Sequence, residues 1–171
     1  MRVNPPAAHG RMTVPMTASD CINLEGRIVT LIGGGGFLGR HVAEALMRAG
    51  ARVRIAQRHP RRAFEVRALA NLGQIQFAAI DATDAAVVAK VVAGSDAVVN
   101  LVGILKGDFQ RFHVDVARNV ALGAAAAGAL MVQMSAIGAD ADSPSAYGRS
   151  KAAGEAAVRA AHAGATILRP S

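Results

Sequence analysis

A single tyrosine stands in the 171 residues, Tyr147, and Lys151 follows it four positions on. On a helix that spacing puts both side chains on one face, a turn apart. A phenol with an ordinary pKa of about 10 is a poor base near neutrality, and a nearby ammonium favours its ionised form. The pair can therefore give or take the proton that accompanies transfer of a hydride. Ser135, which closes an apolar run before the tyrosine, is placed to hydrogen-bond a substrate oxygen beside them. A Tyr-x-x-x-Lys pair alone arises readily on amphipathic helices, so its weight depends on its setting.

That setting begins with a glycine run. Ile28 to Ile32 read as a short apolar strand, Gly33 to Gly36 follow without a break, and Phe37-Leu38-Gly39 opens a helical pattern. Strand, glycine turn and helix in that order are the parts of a dinucleotide-binding βα unit. Unpaired amides and the positive dipole end of the helix point at whatever sits above the turn. Two registers fit the glycines: Gly34-x-Gly36-x-x-Gly39 and Gly33-x-x-Gly36-x-x-Gly39. In the wider one Gly33 closes the strand, Gly36 admits the pyrophosphate and Gly39 lets the helix pack close to the sheet. Phe37 and Leu38 belong to the same cofactor-binding stretch, with side chains read as core.

The next strand ends at Gln57-Arg58-His59-Pro60-Arg61-Arg62, with no acid. Sites specific for NAD place an acid there for the ribose 2′-hydroxyl, whereas a guanidinium grips a 2′-phosphate. Arg58, helped by Arg61 or Arg62, therefore points to NADP(H), with NAD(H) the lesser fit. Asp81 and Ala82, ending the third strand, are placed for the adenine, although Asp81 reads equally well as a turn residue. Gly103, ending the fourth, lets the backbone pass close to the cofactor. No metal-ligand pattern is present.

The elements that must position these residues follow from the apolar periodicity. Leu38, Val42, Ala45, Leu46 and Ala49 share a helical face that Gly50 closes, and Val53 and Ile55 alternate in a second strand. Pro60 opens a helix to about Leu72, and Gln74–Ile80 is a third strand. Asp84 caps a helix bearing Val87, Val88, Val91 and Val92. Ala97–Val102 is a doubly buried strand, a helix spans about Phe109 to Ala127, and Leu130–Met134 is the fifth strand. A helix over about 146–163 precedes a sixth strand at Ala165–Leu168. Repeated β-α units with right-handed crossovers make an α/β fold, a doubly wound parallel sheet of order 3-2-1-4-5-6.

The formal charge of +7 is local: residues 1–75 carry 11 of the 19 Lys and Arg but only 4 of the 12 Asp and Glu. A basic patch beside a phosphate site accounts for it better than a nucleic-acid surface. The lone Cys21 excludes an internal disulfide and fits a reducing compartment. Val120 to Ala139 carries no charge but is mostly Ala and Gly, broken at Gly128, and reads as a helix end plus a strand. Residues 1–25, with Pro5, Pro6 and Pro15, read as a flexible extension with no targeting signal, in which Met12 or Met16 is an alternative start. Residues 26–171 are the nucleotide-binding domain.

In combination, Gly33-x-x-Gly36-x-x-Gly39, Asp81, Ser135, Tyr147-x-x-x-Lys151 and Arg169-Pro170 resemble the short-chain dehydrogenase/reductase superfamily, in its extended or atypical, epimerase/dehydratase-like branch. This resemblance selects the wider glycine register. Residues 36–41, 100–105, 135–140 and 165–171 are similar to bacterial relatives of the dehydrogenase-like accessory subunit of respiratory complex I. That likeness implies a tightly held NADPH with a structural or assembly role, respiratory-chain partners, and a cytoplasmic place peripheral to the inner face of the membrane. Two alternatives are an active reductase, epimerase or dehydratase using Ser135, Tyr147 and Lys151, and a sensor of the NADPH/NADP ratio. His113 stands where many relatives have an Asn that helps order the site, and it reads as an ordinary helix residue in preference to a proton relay. The sequence closes on the sixth strand, so the C-terminal part that forms the substrate pocket in extended relatives is expected to be absent.

Overall fold

The computed structural model describes residues 23–170. The expected extension lies outside them up to position 22, as do Cys21 and the alternative start residues. Twelve elements follow in chain order: β1 Ile28–Ile32, α1 Phe37–Arg48, β2 Arg52–Gln57, a 3₁₀ segment Pro60–Leu69, β3 Ile75–Ala79, α2 Ala85–Val92, β4 Ala97–Asn100, a π-turn Gln110–Asp115, α3 Val116–Ala126, β5 Leu130–Met134, α4 Ala146–Ala161 and β6 Thr166–Leu168. The strands form one sheet of order 3-2-1-4-5-6, and every pairing is parallel. This is the doubly wound sheet that the sequence predicts.

Alternation along β1 divides the core in two. Val29 and Leu31 join Val53, Ile55, Ala43, Met47, Ala63 and Val66 under α1 and the 3₁₀ segment. Ile32 instead joins Val98, Met131 and the valines of α2, α3 and α4 on the opposite face. Period-2 strands between amphipathic helices give this arrangement directly. Asp84 caps α2 as expected, its carboxylate accepting from the amides of Ala86 and Val87. No helix among the described residues is long and apolar enough to cross a membrane, and the uncharged Val120–Ala139 run is split between α3 and β5.

Three local readings need correction. The helix expected from Pro60 to Leu72 is a 3₁₀ segment ending at Leu69, because only Ala63 and Val66 anchor it, three residues apart. β4 ends at Asn100 rather than Val102, since the Asn100 side chain captures the Val102 amide and turns the chain out of the sheet. The helix expected from Phe109 opens with a π-turn that carries the buried His113.

Candidate functional site

The carboxyl ends of β1 and β4 part at the point where strand order reverses, and a cavity of about 260 Å³ opens there. Of the residues read from sequence as cofactor-binding, it is lined by Gly33, Gly36, Arg58, Asp81, Ala82 and Gly103. Phe37, Leu38 and Gly39, at the start of α1, are not part of its lining, and neither are Ser135, Tyr147 and Lys151.

The glycines of the turn do different work. Gly33 has φ +81°, a conformation L side chains rarely adopt. The space beyond Gly35 is filled by the Gln57 amide, whose oxygen accepts from the Gly35 amide at 2.8 Å while its nitrogen donates to the His59 carbonyl at 2.8 Å. A Cβ on Gly36 would meet nothing nearer than the Gly33 carbonyl at 3.7 Å, so its open side faces the cavity. A Cβ on Gly39 would strike the backbone of Gly34, so this glycine lets the helix close on the turn rather than on the sheet. Gly36 caps α1 without a side-chain bond, and the first turn carries no acid. The free amides of that turn therefore face the cavity mouth with the positive end of the helix dipole. Phe37 and Leu38 are not core residues: they are 86% and 39% exposed, and Phe37 meets the edge of the His41 ring at 5.2 Å. What they can offer a ligand is their backbone amides.

The far wall is basic and aromatic. The guanidiniums of Arg58 and Arg111 sit 5.5 and 5.6 Å from the centre of the Phe112 ring. Asp81 accepts from the amide and hydroxyl of Thr83 at 3.0 and 2.8 Å, which lowers its pKa, with further help from Arg111 and Arg58. Its second oxygen lies 4.0 Å from Arg111. Asp81 is thus an ionised turn residue on the cavity wall.

Tyr147 and Lys151 stand one turn apart at the start of α4, yet neither Lys151 nor Ser135 is turned toward the phenol. The Lys151 ammonium donates to the Met134 carbonyl at 2.9 Å, and burial holds its pKa below the ordinary value against the opposing pull of Glu155. The Ser135 hydroxyl donates to Glu155 at 2.6 Å, and the two residues are 5% and 2% exposed. Arg169 grips the same carboxylate with two bonds of 2.7 Å, and Arg159 adds a second cation at 3.3 Å. Burial pushes the Glu155 carboxyl up, but the bonds from Arg169 and Ser135 outweigh it and hold the pKa below its usual value.

His113 is no ordinary helix residue. It is buried, its Nε2 accepts from the Ile104 amide at 3.0 Å, and its Nδ1 lies 2.8 Å from Ser150 Oγ. The first bond requires a bare Nε2, so the ring proton sits on Nδ1 and is donated to Ser150, which donates in turn to the Tyr147 carbonyl at 2.7 Å. Phe109 stacks on the imidazole and Tyr147 meets it edge-on. The ring pins the loop after β4, which borders the cavity, to the tyrosine's turn of α4.

A second buried relay escaped sequence reading. Asn100 accepts from the Val102 amide and donates to Gln133 at 2.8 Å; Gln133 donates to the Met134 carbonyl at 2.9 Å, the atom that also receives Lys151. Gln57, Glu155, Asn100 and Gln133 had one usable signal: polar residues inside or flanking otherwise apolar runs.

The family model described as NAD(P)H-binding matches residues 33–171. The chain belongs to that NAD(P)H-binding family. The chain is 35% identical over 155 residues to the mouse "NADH dehydrogenase [ubiquinone] 1 alpha subcomplex subunit 9, mitochondrial", covering 87% of this chain and 41% of that protein. It is 37% identical over 153 residues to a ceramide reductase of Caulobacter vibrioides, covering 84% and 45%. The chain thus spans less than half the length of either relative. In fold it matches the Bordetella bronchiseptica enzyme WbmG, solved in complex with NAD, with a TM-score of 0.67 at 23% identity over 83% of this chain and 52% of that one. The NAD(P)H-binding, doubly wound domain expected from the motifs is the one present.

Proposed function

We propose that this family member holds NADP(H) as a structural ligand, in the manner of a complex I accessory subunit, and that the bound nucleotide shapes a surface for respiratory-chain partners at the inner face of the membrane. The cradle fits a pyrophosphate: Gly36 offers open space where a Cβ would otherwise stand, beneath the uncapped start of α1. Arg58 on the cavity wall, with Gln57 tied to Gly35 and no acid ending β2, supports the phosphorylated cofactor. Asp81, Ala82 and Gly103 would border the adenine and ribose, and the Phe37, Leu38 and Gly39 amides the phosphates.

The observation that carries the structural role is the Ser135–Glu155 bond. A serine that polarises a substrate oxygen needs its hydroxyl proton, and here that proton is committed to a buried carboxylate. The test is hydride exchange together with co-purification. Protein whose bound NADPH survives a panel of carbonyl compounds, and which leaves membranes together with respiratory-chain subunits, meets the proposal. Oxidation of NADPH by any of them would overturn it.

One observation favours a second reading, an active reductase. Tyr147 and Lys151 keep the spacing for proton transfer, and the Caulobacter relative is named for a reduction. When bound, the nicotinamide would supply the hydride; Tyr147 would hold the proton at its phenol oxygen and Lys151 the charge beside it. Loss of turnover in Tyr147→Phe with nucleotide affinity intact would establish this reading over the first.

A further inference from the structure

The 3₁₀ segment Pro60–Leu69 carries a surface that nucleotide binding leaves unused. At three residues per turn, side chains three apart stand in line. Ala63 and Val66 form the buried line, and Arg61, Phe64 and Arg67 form a line on the surface. Phe64 is 46% exposed and Leu69 52%, and Leu72 beyond them is fully exposed. The Phe64 ring rests edge-on against Phe77 of the outer strand β3, with centroids 5.0 Å apart, so it is propped at the surface rather than folded away.

The charge of this face is also unbalanced. Glu65, the one acid between Arg58 and Leu72, is paired with Arg40 at 2.6 Å. Among the described residues, none of Arg61, Arg62 and Arg67 makes an ion pair. None of these arginines, nor Phe64, Leu69 or Leu72, lines the nucleotide cavity.

Guanidiniums alone would suit any polyanion. Leu69 and Leu72, the aliphatic side chains beside them, do not stack on bases, and they gain nothing from a purely phosphate surface. Phosphates above an apolar layer match both features, since cations can sit at headgroup level while Phe and Leu enter the acyl boundary. The geometry points to the Arg61–Leu72 face as the surface by which this domain docks on an anionic phospholipid membrane, lying on it rather than spanning it. This contact is independent of whether the nucleotide reacts and of any respiratory-chain partner.

The test uses the full chain with protein-free vesicles, some containing phosphatidylglycerol in phosphatidylcholine and some of phosphatidylcholine alone. Co-sedimentation is expected on the anionic vesicles only, weakening with added salt as the charges are screened. Arg61→Ala and Arg67→Ala should each lower partitioning about five-fold, the contribution of one basic residue near an anionic surface. Phe64→Ser and Leu69→Ser should lower it further at the same charge, and these two variants and Arg67→Ala should bind NADPH as the parent does. Equal binding to both vesicle types, unchanged partitioning of the arginine variants, or binding indifferent to Phe64 and Leu69 would each overturn the docking surface. Tighter binding to a single-stranded oligonucleotide than to anionic vesicles would also overturn it.

Discussion

Ser135 and Glu155 lie far apart in the chain, and their side chains meet in a 2.6 Å hydrogen bond inside the protein. The bond joins the end of β5 to the middle of α4, and Arg169 after β6 closes on the same carboxylate. Three successive elements are fastened at one buried charge. Ser135→Ala should therefore cost about 1.5–3 kcal/mol of stability, the range for a hydrogen bond to an ionised group. Urea unfolding checks this, and NADPH affinity should be unchanged. A variant of normal stability would show that the serine does not serve the carboxylate.

Gly36→Val separates folding from binding. At φ −74° the residue is conformationally undemanding, and an added side chain meets little but the cavity. The thermal midpoint should stay within a few degrees, as for a change on open surface. Nicotinamide dinucleotide binding, measured by fluorescence titration, should vanish. Retained affinity would place the pyrophosphate elsewhere.

Arg58→Glu should weaken NADPH by about 30- to 140-fold, as expected for a charge-assisted contact of 2–3 kcal/mol. NADH, which lacks the 2′-phosphate, should lose much less. Comparing both dissociation constants decides it: equal losses would remove Arg58 from the 2′-phosphate.

His113 makes stability depend on pH. Burial, then the charge of Lys151, lowers its pKa from the ordinary 6.5. In the window between the folded value and 6.5 the unfolded chain binds more protons, so stability is full above that window and declines as pH falls through it. Glu155, also lowered, adds a further decline below its ordinary 4.5, as pH falls toward its folded value. His113→Gln keeps an acceptor and a donor but cannot titrate. Its unfolding free energy should lose the slope just below pH 6.5 and keep the acid limb. A slope that persists would assign it to another group.

Much of the architecture was legible in the sequence because it follows from periodicity. The β-α repeat, the Asp84 cap and the glycine turn are local patterns, and each was found where its spacing put it. Phe37 and Leu38 were misread because apolar character was taken for burial at a helix start, where side chains lean back out of the helix. The hydrogen bonds Gln57–Gly35, Asn100–Gln133 and Ser135–Glu155 join residues more than a turn of helix or a strand pair apart in sequence, so no periodicity announces them. The sequence named the side chains that could react; only the fold showed that Ser135 and Lys151 already have partners.

The amides of Asn100 and Gln133 have a consequence for how this chain can vary. Each is buried and spends its polar atoms on the other and on the backbone at Val102 and Met134. Replacing either with an apolar residue leaves a polar atom of the survivor without its partner, while replacing both together leaves only the backbone at Val102 and Met134 to be satisfied elsewhere. The two positions therefore act as one unit of stability: the cost of losing one amide depends on whether the other is still there.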